Sequence, residues 1–600
     1  MMIMEGGMKK GWNTWNVRSV LSHVRLPEGF AISLGIKSYM EGCCLREALI
    51  GRKEKEAEKI IPGPHAYDGS YTSLVLEWSG VKVRVETAVD EGEWFAVVTP
   101  LNAPLKTPAL TIEAAVLWGR PGYAHPEGDA LVIDNGIAPV TVYATGTRRR
   151  EPVMEINAPH LLVVLDQPVC IATHPEKLSA AADIIEKKKN AYRASRQGGG
   201  QKQELYDAMQ ICLAWDTLYD PFMDRVISPV SRVWSCGCGG WVLFDWDTYF
   251  AAWMASLENK DLAYANAIAI TEMVTDEGMI PGMTRANGLK TRDRSQPPVG
   301  SLTVRVLCDK FNETVLAEKL FDTLLGWNRW WPKYRDQDGY LCWGSTPYEP
   351  VIGHILETVV CNTRFAAQLE SGLDNSPMYR GMPYDPAKNK MQFADVGLMS
   401  FYITDCRELA ELARRIGRHE VIDELNQRAA QYAEKLKTLW CEKTGLFLNK
   451  RLDNGELQHR LSPTHFYPLL AQVATQAQAE RMINEHFFNP DEFWGEWILP
   501  AIARNDPCYP DQDYWAGRIW APMNFLVYLG LCKYDLPEAR KALVEKSEAL
   551  LLKEWREHGH IHENYSGDTG MGCGSGKQNS DPFYHWGGLL GLISILDGNK

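Results

Sequence analysis

The 600-residue chain has no run approaching 18 uninterrupted apolar residues, so no membrane-spanning helix is expected. It has no surplus of basic residues: 63 Lys and Arg face 76 Asp and Glu, for a net charge of −13. That balance argues against nucleic acid as a partner, because nothing is left over to neutralise phosphates. Neither G-x-S-x-G nor a Walker A sequence occurs, so a serine nucleophile and phosphoryl transfer are both unsupported. No H-E-x-x-H occurs, and His465, His486, His562 and His585 stand apart without ligand spacing. No metal site and no cofactor is therefore expected, although a structural metal stays open. The 14 cysteines are scattered, and Cys236-Gly-Cys238 has no second pair to complete a zinc site. They are expected to be reduced core thiols. The segment Met1 to Asn16 has no apolar stretch of signal-peptide type, and a cytoplasmic location is expected.

What is present divides in two. Residues 15 to about 172 read as strands. Val81-Lys-Val-Arg-Val alternates apolar and polar, and Trp94 to Val98, Ala130 to Ile133 and Val140 to Tyr143 are short strand-forming runs. Gly, Pro, Asn and Asp punctuate them, as in a β-sandwich. After Pro175 the character changes. Glu176 to Ser195 is charged and Ala-rich, and Gly198-Gly199-Gly200 follows. From Glu204 onward helical periodicity dominates, with segments of helical length at 204–218, 246–257, 260–276, 312–330, 354–370, 393–416, 419–440, 465–485, 514–531, 537–556 and 583–596. So many helices over about 400 residues suit a toroid of paired helices. The expected organisation is an N-terminal β-sandwich (1–175), a linker helix and Gly-rich loop (176–203) and an (α/α)6 toroidal barrel (204–600).

Two acidic segments stand out. Glu370-Ser-Gly-Leu-Asp374-Asn-Ser-Pro follows a helical run, and Glu563-Asn-Tyr-Ser-Gly lies 189 residues beyond Asp374. Two carboxylates from distant loops are what glycosidic hydrolysis needs: one protonated to assist the leaving group, one ionised to activate water. Tryptophans crowd the predicted helix ends, among them Trp246, Trp343, Trp515, Trp520 and Trp586. Their indoles suit the apolar C–H faces of a sugar, although core packing explains any one of them equally well. Asp247 can serve sugar hydroxyls, while it or Asp245 can equally cap the next helix. Arg294 and Gln296 precede Pro297-Pro298, a fitting helix start, where a polar ligand could sit; a surface turn is the alternative. Arg518, alone among aromatics, should need a partner carboxylate.

Together, Trp246-Asp247-Thr-Tyr-Phe, Ser295-Gln-Pro-Pro298, Glu370-Ser-Gly372-Leu-Asp374, Tyr514-Trp515-Ala-Gly-Arg518-Ile-Trp520-Ala-Pro522 and Glu563-Asn-Tyr-Ser-Gly resemble glycoside hydrolase family 63, in the order that family uses. The resemblance covers about 203 to 598. It implies a helical barrel shared with trehalases and glucoamylases, and an inverting, exo-acting α-glycosidase. Asp374 matches the general acid and Glu563 the general base. Trp246, Asp247, Gln296, Arg518 and Trp520 match the sugar subsite, and Trp343 a further aromatic near it. Gly372, Trp515, Trp586 and Arg294 complete the candidate substrate-binding set. The substrate it implies is a small α-glucoside or α-mannoside, glucosylglycerate and mannosylglycerate included, or a related oligosaccharide. Sugar, linkage, aglycone and oligomeric state stay open. So do an epimerase or phosphorylase on the same barrel and a non-catalytic sugar-binding protein.

Overall fold

The computed structural model describes residues 8–151, 154–196, 198–348, 361–572 and 580–598. Strands dominate the first part. They are β1 (Gly11–Asn13), β2 (Ser22–Leu26), β3 (Phe30–Ser38), β4 (Cys43–Leu45), β5 (Lys59–His65), β6 (Tyr71–Trp78), β7 (Val81–Asp90), β8 (Glu93–Pro100), β9 (Ala109–Val116), β10 (Tyr123–Glu127), β11 (Ala130–Asp134), β12 (Val140–Ala144), β13 (His160–Val164) and β14 (Val169–Ala172). One sheet runs β1-β2-β3-β9-β13 with β4 beside β3, and the other runs β10-β11-β12-β14-β8-β7-β6-β5. β7 shows why these residues make strands. Val81, Val83 and Val85 are buried, while Lys82, Arg84 and Glu86 face outward to different degrees, a period of two with one wet face. Ser79-Gly80 and Glu91-Gly92 close the hairpins on either side of β7 with positive φ at both residues, which matches the strand twist.

The helix Ala181–Ser195 packs on the larger sheet, where Ala181 and Ile185 join Tyr71, Phe95 and Val97 in one apolar cluster. Gln210–Trp241 and His558–His560 belong to this first compact unit as well. Buried Arg232 explains part of that membership. Its guanidinium donates to the carbonyls of Thr14 (2.7 Å), Trp215 (2.7 Å) and Thr217 (2.9 Å), tying the segment to the strand region.

The second unit comprises Glu204–Met209, Val242–Glu557 and Ile561–Lys600. It is helical, and successive helices pack on each other. Asp245–Ala255 lies on Lys260–Thr271, and Val396–Arg415 on Ile422–Lys437. Val396–Arg415 also touches Gly300–Phe311 and Val315–Arg335. Gly300–Phe311 is absent from the segments read from sequence. Pro297 and Pro298 precede it without opening it. The run 354–370 lies partly outside the described residues, and its described part forms the helix Arg364–Glu370. No helix among the described residues is long and apolar enough to cross a membrane. The described cysteines are free, but only Cys212, Cys308, Cys342, Cys406 and Cys508 are buried. Most are therefore boundary thiols rather than the core thiols expected from sequence.

Candidate active site

The helix Arg364–Glu370 ends in a turn that only glycine can make. Gly372 has φ of +71°, and a Cβ there would come within 2.7 Å of the Trp246 ring. Two residues later Asp374 emerges half-buried. Its neighbour Asn375 fixes the turn, donating to the Asp513 carbonyl at 2.9 Å and accepting from the Trp515 backbone N–H at 2.8 Å. The Asp374 loop is thus fastened to the segment 513–522.

That segment supplies half of an indole wall. Trp515 and Trp520 stack with centroids 3.6 Å apart and planes 6° from parallel. Trp586 stands edge-on to Trp520 (5.5 Å) and to Trp246 (5.7 Å), and Trp246 faces Trp515 at 6.3 Å. Between Trp515 and the rest of its turn sits Tyr514, a bulky residue at φ of +55°, a backbone region costly for any side chain but glycine's. Its carbonyl accepts from the Trp520 indole N–H at 3.1 Å.

Tyr514 reaches the second acidic segment. Its hydroxyl donates to Glu563 Oε1 at 2.8 Å, and the Asp581 backbone N–H donates to Oε2 at 3.1 Å. Both carboxylate oxygens therefore accept a hydrogen bond, an arrangement that favours the ionised form. The backbone around Glu563 is held from both sides. Ile519 and Tyr565 exchange hydrogen bonds of 2.7 and 3.0 Å, and the Trp586 indole donates to the Glu563 carbonyl at 2.8 Å. Glu563 is 4% exposed.

The two acids share an electrostatic neighbourhood. Burial pushes the Tyr514 hydroxyl well above its ordinary range, and the charges of Glu563 and Asp374 push it further. Asp247 lies in the same group. Burial raises its pKa to about 7, the Tyr584 hydroxyl donating at 2.9 Å opposes this, and the charge of Asp374 adds to it. Asp245 is buried with both carboxylate oxygens unbonded among the described residues, and burial drives its pKa far up. Neither Asp245 nor Asp247 caps its helix. Phe244 is the N-cap, and both acids lie in the first turn.

Other candidates from the sequence sit differently. Gln296 accepts from the Asp245 backbone N–H at 3.1 Å. Arg294 pairs with Asp293 at 2.9 Å and is buried. Trp343 packs edge-on to Trp331 at 6.0 Å and makes no ring contact with the indole wall. Arg518 is fully buried. Its guanidinium donates to the Asn564 side-chain oxygen and to the carbonyls of Met571 and Gly572, next to Glu563. An amide and peptide oxygens are thus among the groups that hold this cation.

Glu370 shares the motif with Asp374 but has a different setting. Arg335 grips it with two bonds of 2.6 and 2.7 Å, and the backbone N–H groups of Ser295 (3.0 Å) and Gly344 (2.6 Å) complete the set. Sequence reasoning missed Arg335, Asn375 and the position of Tyr514 beside Glu563. The only available signal was that Tyr514 opens the aromatic motif and Asn375 follows Asp374.

The family model described as the mannosylglycerate hydrolase MGH1-like glycoside hydrolase domain matches residues 241–585. Among curated relatives, mannosylglycerate hydrolase MGH2 of Selaginella moellendorffii is 26% identical over 47% of this chain and 63% of its own length. The mannosylglycerate hydrolase of Rubrobacter radiotolerans is 24% identical over 52% of this chain and 76% of its own. The chain thus spans 63% of the first of these relatives. Among solved structures, the family 63 mannosylglycerate hydrolase from Thermus thermophilus, in complex with Tris and D-glycerate, aligns with TM-score 0.51 at 19% identity. That alignment covers 65% of this chain and 99% of the other. A bacterial glucoamylase complexed with acarbose aligns with TM-score 0.52 at 12% identity over 99% of this chain and 94% of its own. Both show likeness of fold. With the family model covering more than half of the sequence and the motif residues gathered around one indole wall, the chain belongs to the MGH1-like glycoside hydrolases of family 63.

Proposed function

We propose that this chain is an inverting, exo-acting α-glycosidase built from an N-terminal β-sandwich and an (α/α)6 barrel, divided near residues 175 and 204. Asp374 is the general acid and Glu563 the general base. The observation that carries this reading is Tyr514: its hydroxyl bonds to Glu563, and both Glu563 and Asp374 act on it. Asp374 protonates the glycosidic oxygen. Glu563, with a donor on each carboxylate oxygen, takes a proton from water on the opposite face of the ring. Inversion requires about 6.5–9.5 Å between the carboxyls, to admit that water. The indoles Trp246, Trp515, Trp520 and Trp586 offer apolar walls to the sugar. Asp247 receives its hydroxyls, and Gln296, Arg294, Trp343 and Arg518 frame the subsite.

The substrate is a small α-hexoside. The relatives named mannosylglycerate hydrolases favour a hexosyl glycerate over a long oligosaccharide. The proposed location is the cytoplasm, which the free thiols fit. The test is release of free hexose from mannosylglycerate, glucosylglycerate and trehalose, with Asp374→Asn and Glu563→Gln as controls. Hydrolysis of a hexosyl glycerate, lost in both variants, supports the reading. Full activity in either variant, or release of a sugar phosphate only when phosphate is added, overturns it.

A further inference from the structure

The second half of the helix Val396–Arg415 carries Arg407, Glu408, Glu411, Arg414 and Arg415. Arg305 from Gly300–Phe311, Asn426 from Ile422–Lys437 and Lys533 join them around an open cavity of about 380 Å³. Most of these charges are already matched. Arg305 pairs with Glu408 and Asp309, Arg415 with Asp309 and Glu411, and Arg414 with Glu411 at 2.6 Å. Arg414 and Arg415 also stand in the last helical turn, where the helix dipole favours cations.

Two cations are not accounted for in this way. Arg407 is half-buried and donates to the Ala471 carbonyl, and among the described residues no carboxylate pairs with it. Burial alone pulls its pKa down. Lys533 is exposed at the rim and likewise has no carboxylate partner among the described residues, although its charge reaches Glu408. The cluster thus sets five cations against the three carboxylates of Glu408, Glu411 and Asp309, a surplus of two, in a chain whose net charge is −13. A surplus of two positive charges in a cavity matches a dianion. Guanidinium forks and an ammonium are the usual partners of phosphate oxygens, and the exposed Asn426 amide adds a neutral donor.

We propose that this cavity binds a phosphate dianion, either inorganic phosphate or the phosphate of a small phosphomonoester, through Arg407 and Lys533. Nothing in this assignment depends on the glycosidase reading.

The test is isothermal titration of the full chain with inorganic phosphate and, separately, with glucose 6-phosphate, at ionic strength matched with chloride. The expected result is saturable binding that weakens about tenfold or more in the Arg407→Gln/Lys533→Gln double variant, with thermal unfolding unchanged. Arg407→Lys should retain most of the affinity. Tighter binding of glucose 6-phosphate makes a phosphorylated sugar the ligand, and equal binding makes it free phosphate. If the double variant fails to fold, Lys533→Gln alone, at an exposed position, must still weaken binding. Absence of saturable binding by both probes overturns the proposal. So does unchanged affinity in the folded variants, which would put phosphate elsewhere, as in a phosphorylase site.

Discussion

Glu370 and Asp374 are four residues apart, yet they stand in two chemically opposite regions. Around Glu370 everything is satisfied: Arg335 supplies charge, two backbone N–H groups fill the remaining acceptor sites, and both partners of the ion pair are wholly buried. Around Asp374, Asp247 and Glu563 the walls are indoles and tyrosines; the charge of Asp374 acts on Asp247, and those of Asp374 and Glu563 act on Tyr514. Burial raises the pKa of Glu370 as well, but there Arg335 opposes it with a full charge. At Asp247 only the Tyr584 hydroxyl and the residue's own backbone N–H oppose it, and the neighbouring carboxylate works the other way. Burial with a cation makes a structural acid. Burial with aromatics makes one that titrates near neutrality, which is where acid–base chemistry needs it.

Acid-to-amide changes should therefore have different consequences in the two regions. The largest effect is expected at the proposed catalytic pair: Asp374→Asn and Glu563→Gln should each lower kcat by about 10³- to 10⁴-fold with unchanged thermal unfolding. Glu370→Gln should instead cost about 3–5 kcal/mol of stability, because Arg335 loses its counter-charge in a wholly buried site. Denaturant unfolding measures it, and a loss below about 1 kcal/mol would erase the distinction between the regions.

Asp247→Asn should go the opposite way. The folded state raises this pKa from 3.8 to about 7, so it favours the protonated form. The resulting penalty is absent below about pH 4, grows between pH 4 and 7 and is constant above that. The amide removes it, so the variant should match the parent at pH 4 and exceed it by about 2–4 kcal/mol at pH 8. Melting curves across that range would show the gap widening with pH, and a constant gap would contradict the assigned titration. The smallest effect is expected for Tyr514→Phe. Losing one donor to Glu563 should lower kcat about tenfold and move the acid limb of the pH–rate profile upward.

Local patterns made parts of the fold legible. The alternation from Val81 marks β7, and the charged Ala-rich run after Pro175 marks the helix Ala181–Ser195. The helix Gly300–Phe311 was not read from sequence although Leu302, Val304, Leu307 and Phe311 give it an apolar face, because two prolines and a polar stretch precede it and read as a turn. Within the candidate site, the residue types were readable where they cluster: the indoles of 514–520 and the acids of the two motifs. Their partners were not. Arg335 closes on Glu370 from 35 positions away, and a buried cation has no periodicity to reveal it. The positive φ of Tyr514, which aims its hydroxyl at Glu563, is imposed by tertiary packing against propensity. Arg518 shows the same gap: sequence gives the cost of burying it, but not that the Asn564 amide and the Gly572 carbonyl are among its partners.

The most direct measurement is NMR of the anomeric proton of the first sugar released from an α-linked hexosyl glycerate. Two carboxylates acting as separate acid and base, with water between them, predict that the β-anomer appears first and the α-anomer only by later mutarotation. Initial release of the α-anomer would mean retention through a nucleophilic carboxylate, and would contradict the roles assigned to Asp374 and Glu563.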